Sequence, residues 1–277
     1  MSEIRAIVNA DDFGESDAIT YGIAACLDAG TVTSTTILAN MPGAELALRL
    51  AKERGRTSSF GVHLNLCEGP SLTAAPSLTD GSGRFVRKRA QALRAFAGRL
   101  DAGELERELG AQIARVRDAG VQISHLDGHK HLHQLPGVGA IVAQLAKRFG
   151  LERVRSTLEK GLWPRGIAAG AALSRITRTA LARRFAPRLR AAGLRTPVRT
   201  LDLADVMRLP DAGARRALLA DLPTMSEIFC HPGLAPEGSP PDARAERRLL
   251  EQRFLCGDDF RALASASGLR LVTYWEL

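Results

Sequence analysis

Ile4-Arg5-Ala6-Ile7-Val8-Asn9-Ala10-Asp11-Asp12-Phe13-Gly14 is the stretch whose reading decides the fold. Apolar residues dominate positions 4–9, as in a strand covered on both faces, and such strands build parallel sheets. Ala10-Asp11-Asp12-Phe13-Gly14 stops that strand with an acidic pair. Ser16 is placed to N-cap a helix through about Ala29, with Ile19, Ile23 and Leu27 as its core stripe and Gly30 as its end. A buried strand, a polar end and a helix therefore follow one another directly.

The same unit recurs along the chain. Residues 31–38 are rich in β-branched side chains and read as a second strand, leading to Ala39-Asn40-Met41-Pro42. Residues 43–54 read as a helix, and 59–66 as a third strand carrying His63 and Asn65. A helix over 102–119 precedes a fourth strand at 121–127. A helix over 136–149 precedes a short fifth strand at 152–155. Helical pattern returns at 211–220 and 242–267, around a strand at 226–230, and a final strand occupies 269–274. Parallel strands need helical crossovers, so this alternation predicts a largely parallel sheet. The expected fold is α/β, an irregular (β/α) TIM-like barrel of about seven strands in a single domain over 1–277. No GxGxxG follows the first strand, which counts against a dinucleotide fold.

Two segments depart from the pattern. Residues 68–90 gather the turn signals Glu68-Gly69-Pro70, Ala75-Pro76 and Gly81-Ser82-Gly83, and read as a loop insertion or lid. A basic helical segment near 165–195 carries Arg175, Arg178, Arg183 and Arg184 beside an apolar stripe of Leu173, Ile176, Ala180 and Phe185. That pattern fits a core-facing helix with a solvated basic face, and also a helix lying on an anionic membrane.

The net charge of +8 comes almost wholly from arginine. With two Trp and two Tyr and no interleaving of basic with aromatic residues, no nucleic-acid partner is expected. No apolar run approaches the roughly 20 residues that cross a bilayer, and the start of the chain does not resemble a signal peptide. Cys26, Cys67, Cys230 and Cys256 are widely spaced and read as reduced, mostly buried thiols of a cytoplasmic protein.

The polar residues that look out of place all lie at or just past strand ends. They are Asp11-Asp12, His63, His231, and the run His125-Leu126-Asp127-Gly128-His129-Lys130-His131-Leu132-His133. In an extended segment His125, Asp127 and His129 share a face. The C-terminal strand ends of a (β/α) barrel meet at one face, so residues far apart in sequence can converge there. Taken singly, each has a plain structural reading: turn chemistry for the aspartates, a hydrogen-bonded core residue for His63, a turn for His231. Taken together, one carboxylate with two or three histidines makes an open metal site suited to zinc, manganese, iron or cobalt. Of two adjacent aspartates one can ligate while the other acts as a general base, with His231 as a candidate acid for the leaving group. The chemistry so assembled is metal-assisted hydrolysis of an amide or ester, by attack of a metal-activated water. A phosphoesterase or other amidase is the alternative within hydrolases. A non-enzymatic anion- or membrane-binding protein is the alternative outside them.

In combination, Val8-Asn9-Ala10-Asp11-Asp12-Phe13-Gly14, Thr31-Val32-Thr33-Ser34-Thr35-Thr36, Gly61-Val62-His63, the histidine run and Cys230-His231-Pro232-Gly233 resemble the YdjC-like family of carbohydrate deacetylases. That family includes chitooligosaccharide and hopanoid-biosynthesis deacetylases. The resemblance implies a (β/α) barrel with one divalent ion, magnesium or zinc, that removes acetyl from an N-acetylated amino sugar. Asp12, His63 and His129 match the metal ligands, Asp11 the base and His231 the acid. His125 and Asp127 match residues lining the site, and Asn40 and Arg155 are grouped with them as substrate-binding or supporting residues. The substrate implied is an oligosaccharide or a lipid-linked sugar, the latter compatible with peripheral membrane contact. A homodimer is compatible with the sequence, and His131 and His133 receive no role.

Overall fold

The structure is a computed structural model that describes residues 3–159, 169–235 and 242–277. At its centre, among the described residues, are seven parallel strands: β1 (Ile4–Phe13), β2 (Ser34–Ile37), β3 (Ser59–Leu64), β4 (Ile123–Gly128), β5 (Thr200–Asp202), β6 (Ser226–Cys230) and β7 (Leu269–Val272). Their hydrogen-bonded order is β4-β3-β2-β1-β6-β5. β7 pairs with Ile4 to Ile7, at the start of β1. β6 pairs with Ala6 to Ala10 along the opposite edge, and β2 takes over past β7 at Asn9. The ring is completed irregularly. Val154 bridges to Leu126 of β4, and Glu159 bridges to Thr200 of β5, so the chain between them spans the gap. The expected α/β barrel is observed.

Helices α1 (Asp17–Asp28), α2 (Ala44–Arg54), α3 (Lys88–Phe96), α4 (Ala102–Asp118), α5 (Val138–Arg148), α6 (Ala169–Ala191), α7 (Leu203–Met207), α8 (Ala212–Ala220), α9 (Ala243–Cys256) and α10 (Asp258–Ala266) surround the strands. Helix α1 begins where the sequence places it, since the Ser16 side chain accepts the Ile19 N–H. Helix α4 shows how the helices are held. Leu105, Leu109, Ile113 and Val116 form one buried stripe, each worth about 1.5–3 kcal/mol on burial. Asp101 caps its start by accepting from Glu104 N.

Three differences from the sequence reading have physical causes. β1 runs on through the acidic pair to Phe13, because the buried ends of Asp11 and Asp12 find partners inside the barrel. The expected fifth strand at 152–155 is reduced to bridges at Arg153 and Val154. The fifth strand is instead Thr200–Asp202, three residues long and too short for alternation to register. Among the described side chains of α6 the buried ones are Ala182, Phe185, Ala186 and Leu189, while Ile176 is 49% exposed and Leu173 lies outside the described side chains. Its arginines are partly tethered, Arg175 pairing with Glu159 and Asp205, and Arg178 with Glu159.

Candidate active site

The register between β1 and β2 shifts between Ala10 and Phe13, and Asp12 has a φ of 73°. Side chains alternate faces in a regular strand, so adjacent aspartates would part company. A bulge with a left-handed residue re-aims one of them. Left-handed backbone is uncommon outside glycine and is held only where the surroundings over-determine it. Here the surroundings are three charged side chains gripping the Asp12 carboxylate.

Asp12 Oδ1 lies 2.8 Å from His129 Nδ1 and 3.3 Å from His63 Nε2. Its Oδ2 accepts from Arg248 Nη2 at 2.5 Å. His63 reaches this point from the end of β3, and its other nitrogen, Nδ1, donates to Asp127 Oδ1 at 2.7 Å. Thr36 Oγ1 donates to Asp127 Oδ2 at 3.1 Å, fixing that carboxylate from β2. His129 follows β4 directly. Its Nε2 lies 3.1 Å from Glu68 Oε2, and Lys130 also pairs with Glu68.

Asp11 faces a second partner, Arg155. The guanidinium donates through Nη2 to Asp11 Oδ1 at 2.7 Å and through Nη1 to Asp11 Oδ2 at 2.8 Å. Arg155 is fully buried and also pairs with Asp127 Oδ2 at 2.8 Å and Glu227 Oε1 at 2.6 Å. Tyr274 completes the group by donating its hydroxyl to Glu227 Oε2 at 2.7 Å. The aspartates are thus joined through Arg155, Asp127 and His63 into one hydrogen-bonded network.

Charge dictates protonation here. Burial alone would raise the Asp12 carboxyl, but His129, His63 and Arg248 hold it well below the usual carboxylate range. Burial would lower His63, yet Asp127 and Asp12 outweigh it and hold it up at about 10. His129 is likewise raised, burial being overcome by Asp12 and Glu68. Among the described residues, the buried carboxylates Asp11, Asp12, Asp127 and Glu227 pair with the buried cations Arg155 and Arg248, and the more exposed Arg244 stands 3.7 Å from Asp12 Oδ2. The remaining negative charge is answered by protons on the two imidazoles, or by a divalent cation in their place. Asp12, His63 and His129 each offer a ligand atom within 4.8 Å of the others. A hard oxygen with two imidazole nitrogens is a donor set for zinc or a similar divalent ion. A carboxylate behind a ligating imidazole, as Asp127 stands behind His63, is the usual support of such a site.

His231 follows β6, with Nε2 4.0 Å from Asp11 Oδ2 and its backbone N–H donated to Glu251 Oε2 at 2.5 Å. Burial lowers its imidazole despite Asp11 and Asp12. Asn40 stands apart from the histidines: its amide donates to the carbonyls of Glu68 and Pro70, at 3.0 and 2.8 Å. It thereby anchors the loop that brings Glu68 to His129. His125 also stands apart. Its ring stacks on Tyr274 with centroids 3.5 Å apart, and burial pushes it down to about 3. His133 faces the Arg155 carbonyl through Nε2 at 3.0 Å. His131 packs edge-on against Phe229.

Sequence reasoning missed Glu15, Glu68, Glu227, Arg248 and Glu251. Glu227 carried a signal, a charged residue inside an otherwise apolar strand at 226–230. Arg248 and Glu251 carried none, lying in a helix dense in exposed charge.

An α/β barrel with its polar residues gathered at the C-terminal strand ends defines the class of protein. The family described as YdjC-like protein matches residues 5–266, and the chain belongs to it. The carbohydrate deacetylase of Geobacillus stearothermophilus is 45% identical over 145 residues, covering 52% of this chain and 57% of that protein. The carbohydrate deacetylase of Brevibacillus brevis is 43% identical over 147 residues, covering 53% and 57%. The match spans little more than half the length of these curated relatives. In fold, the chain is similar to a crystal structure from Enterococcus faecalis V583 of a protein proposed to cleave cellobiose phosphate. The TM-score is 0.73 at 23% identity, over 99% of both chains.

Proposed function

We propose that the chain is a metal-dependent carbohydrate deacetylase that hydrolyses the N-acetyl group of an N-acetylated amino sugar, free or lipid-linked. The observation that carries this reading is the approach of His63 Nε2 and His129 Nδ1 to one oxygen of Asp12, with Asp127 behind His63. Asp12, His63 and His129 would hold the ion. An ion held by these residues would supply Lewis acidity, toward a water and the acetyl carbonyl.

The chain's own residues move the protons. Arg155 keeps Asp11 oriented through two hydrogen bonds, so its carboxylate is set to take a proton from the attacking water. As the water oxygen bonds to the acetyl carbon and the C–N bond breaks, the leaving nitrogen must gain a proton. His231 lies close enough to Asp11 to carry it. Burial keeps His231 neutral at rest, so the proton it delivers comes from Asp11 during the reaction. The products are acetate and the free amine.

The test is acetate release from N-acetylglucosamine oligomers by purified protein, before and after chelation. Release that stops on chelation and returns with zinc or magnesium is the expected result. Acetate release that survives complete removal of metal, or no release from any N-acetylated sugar, overturns the reading.

A further inference from the structure

The proposed reaction makes no use of the cysteines, yet the fold brings two of them together. Cys26 and Cys256, 230 positions apart in sequence, have their sulfurs 3.4 Å apart. Cys26 is buried on α1, and Cys256, the last residue of α9, is partly exposed. Gln252 Nε2 lies 3.3 Å from Cys256 Sγ and donates to it. Thr31 Oγ1 donates to the Leu255 carbonyl at 2.7 Å, so the end of α9 is already pinned beside the turn after α1.

The two thiols differ in chemistry. Burial, with Cys256 beside it, pushes the Cys26 thiol well up and keeps it protonated. Gln252 holds the Cys256 sulfur in place, and its partial exposure gives a small oxidant access. An accessible sulfur with a second thiol in contact is the arrangement of an attacking and a resolving cysteine.

We propose that Cys26 and Cys256 are an oxidisable dithiol that peroxide closes to a disulfide, clamping α9 to α1. The Cys256 thiolate attacks a peroxide oxygen and the O–O bond breaks. Cys256 becomes a sulfenic acid, and the displaced hydroxide leaves as water with the proton that Cys256 gave up. The Cys26 sulfur then attacks the sulfenic sulfur, the S–O bond breaks, and the hydroxyl leaves as water with the Cys26 proton. Two thiols lose two electrons, and one peroxide becomes two waters.

The clamp bears on the site through helix geometry. Residues four apart share a helix face, so Arg248, Gln252 and Cys256 lie along one side of α9. Arg248 holds Asp12 Oδ2 and Glu15 Oε2, at 2.5 and 2.6 Å. Glu251, the residue before Gln252, receives the His231 N–H. Fixing the end of α9 steadies the helix that holds both. The proposal does not rest on the deacetylase reading, because its test reads sulfur and not turnover.

The whole chain is treated with hydrogen peroxide, denatured, alkylated, digested and weighed. The expected result is loss of two of the four alkylatable thiols, a linked Cys26–Cys256 peptide that dithiothreitol separates, and a higher Tm before reduction. Under the same treatment Cys26→Ser leaves Cys256 to advance to sulfinic acid, and Cys256→Ser leaves Cys26 fully alkylatable. Four thiols still alkylated in the wild-type chain, or Cys256 overoxidised while Cys26 is alkylated, overturns the proposal. The wild-type result alone decides it if either variant fails to fold.

Discussion

His63 is gripped by carboxylates at both ring nitrogens, with Nδ1 2.7 Å from Asp127 Oδ1 and Nε2 3.3 Å from Asp12 Oδ1. The first contact fixes the ring and its tautomer, and the second aims it. Asp127→Asn keeps the shape and removes the charge behind the imidazole. Loss of such a supporting partner costs about 10–100-fold in metal affinity. Zinc titration of the chelator-stripped variant by calorimetry measures it, and an affinity equal to wild type refutes the assignment.

Proton linkage gives the second expectation. His63 is held up at about 10, and His129 is raised too, so the metal-free site carries protons at neutral pH. Ligating nitrogens must be free of them, so binding releases protons and affinity rises with pH. The sign for the metal-free protein is the reverse. A raised imidazole contributes stability that is fully present below its unfolded value of about 6.5. That contribution is lost as the pH rises through about 10. In a chelator the Tm should fall between pH 7 and 10, and added zinc should flatten the profile. A metal-free Tm that climbs over that range contradicts the protonated pair.

Arg155 is a fully buried cation that touches Asp11, Asp127 and Glu227 together. Removing one side of a buried ion pair leaves uncompensated charge and costs about 3–5 kcal/mol, and here three carboxylates are left. Arg155→Gln should lower stability by at least that range, read from urea denaturation at pH 7. A loss under about 1 kcal/mol, typical of exposed pairs, would mean the network is not closed to water as described.

The barrel was legible in the sequence because its strands are long enough to show apolar runs and its helices carry caps, Ser16 being the clearest. Asp11, Asp12, His63 and His129 were legible because polar groups at strand ends interrupt that pattern. His125 shares the interior face of β4 with Asp127, its ring lying over Gly61 of β3, but one layer below the other groups. The chain leaves extended geometry after Gly128, with left-handed backbone at Lys130 and His131, and His125 sits deeper, against Tyr274. Arg248 was not legible, because one arginine in Ala243–Cys256 looks like its neighbours until the fold turns it inward. β5 was not legible either, since the pairing that makes Thr200–Asp202 a strand lies in β6.

Glu251 sits beside the site with its carboxyl raised to about 7 by burial and Asp202. A carboxylate raised above its unfolded value destabilises the fold once it ionises. The wild-type chain therefore gives up stability as pH rises from about 4.5 to about 7. Glu251→Gln keeps an oxygen for the His231 N–H and removes the ionisation. The two proteins should match near pH 4.5, and above pH 7 the variant should be more stable by on the order of 3 kcal/mol. Denaturant titrations at both pH values check this, and a variant less stable at pH 8 reverses the sign and refutes it.

The division of labour between the adjacent aspartates gives the sharpest separation of metal from chemistry. Asp12 faces the two imidazoles and Asp11 faces Arg155, so the two can be removed independently. Asp12→Asn should lose metal and acetate release together, because the oxygen that both imidazoles approach loses its charge. Asp11→Asn should retain stoichiometric zinc while turnover falls about 10²–10⁴-fold, the usual worth of a positioned base. Its KM should change little, since the amide keeps the volume and one acceptor for Arg155. Metal content by atomic emission beside kcat on an N-acetylglucosamine oligomer reads both halves. An Asp11→Asn enzyme with near wild-type kcat removes Asp11 from proton transfer. One that has lost its zinc makes Asp11 part of the metal site, and the base must then be sought elsewhere.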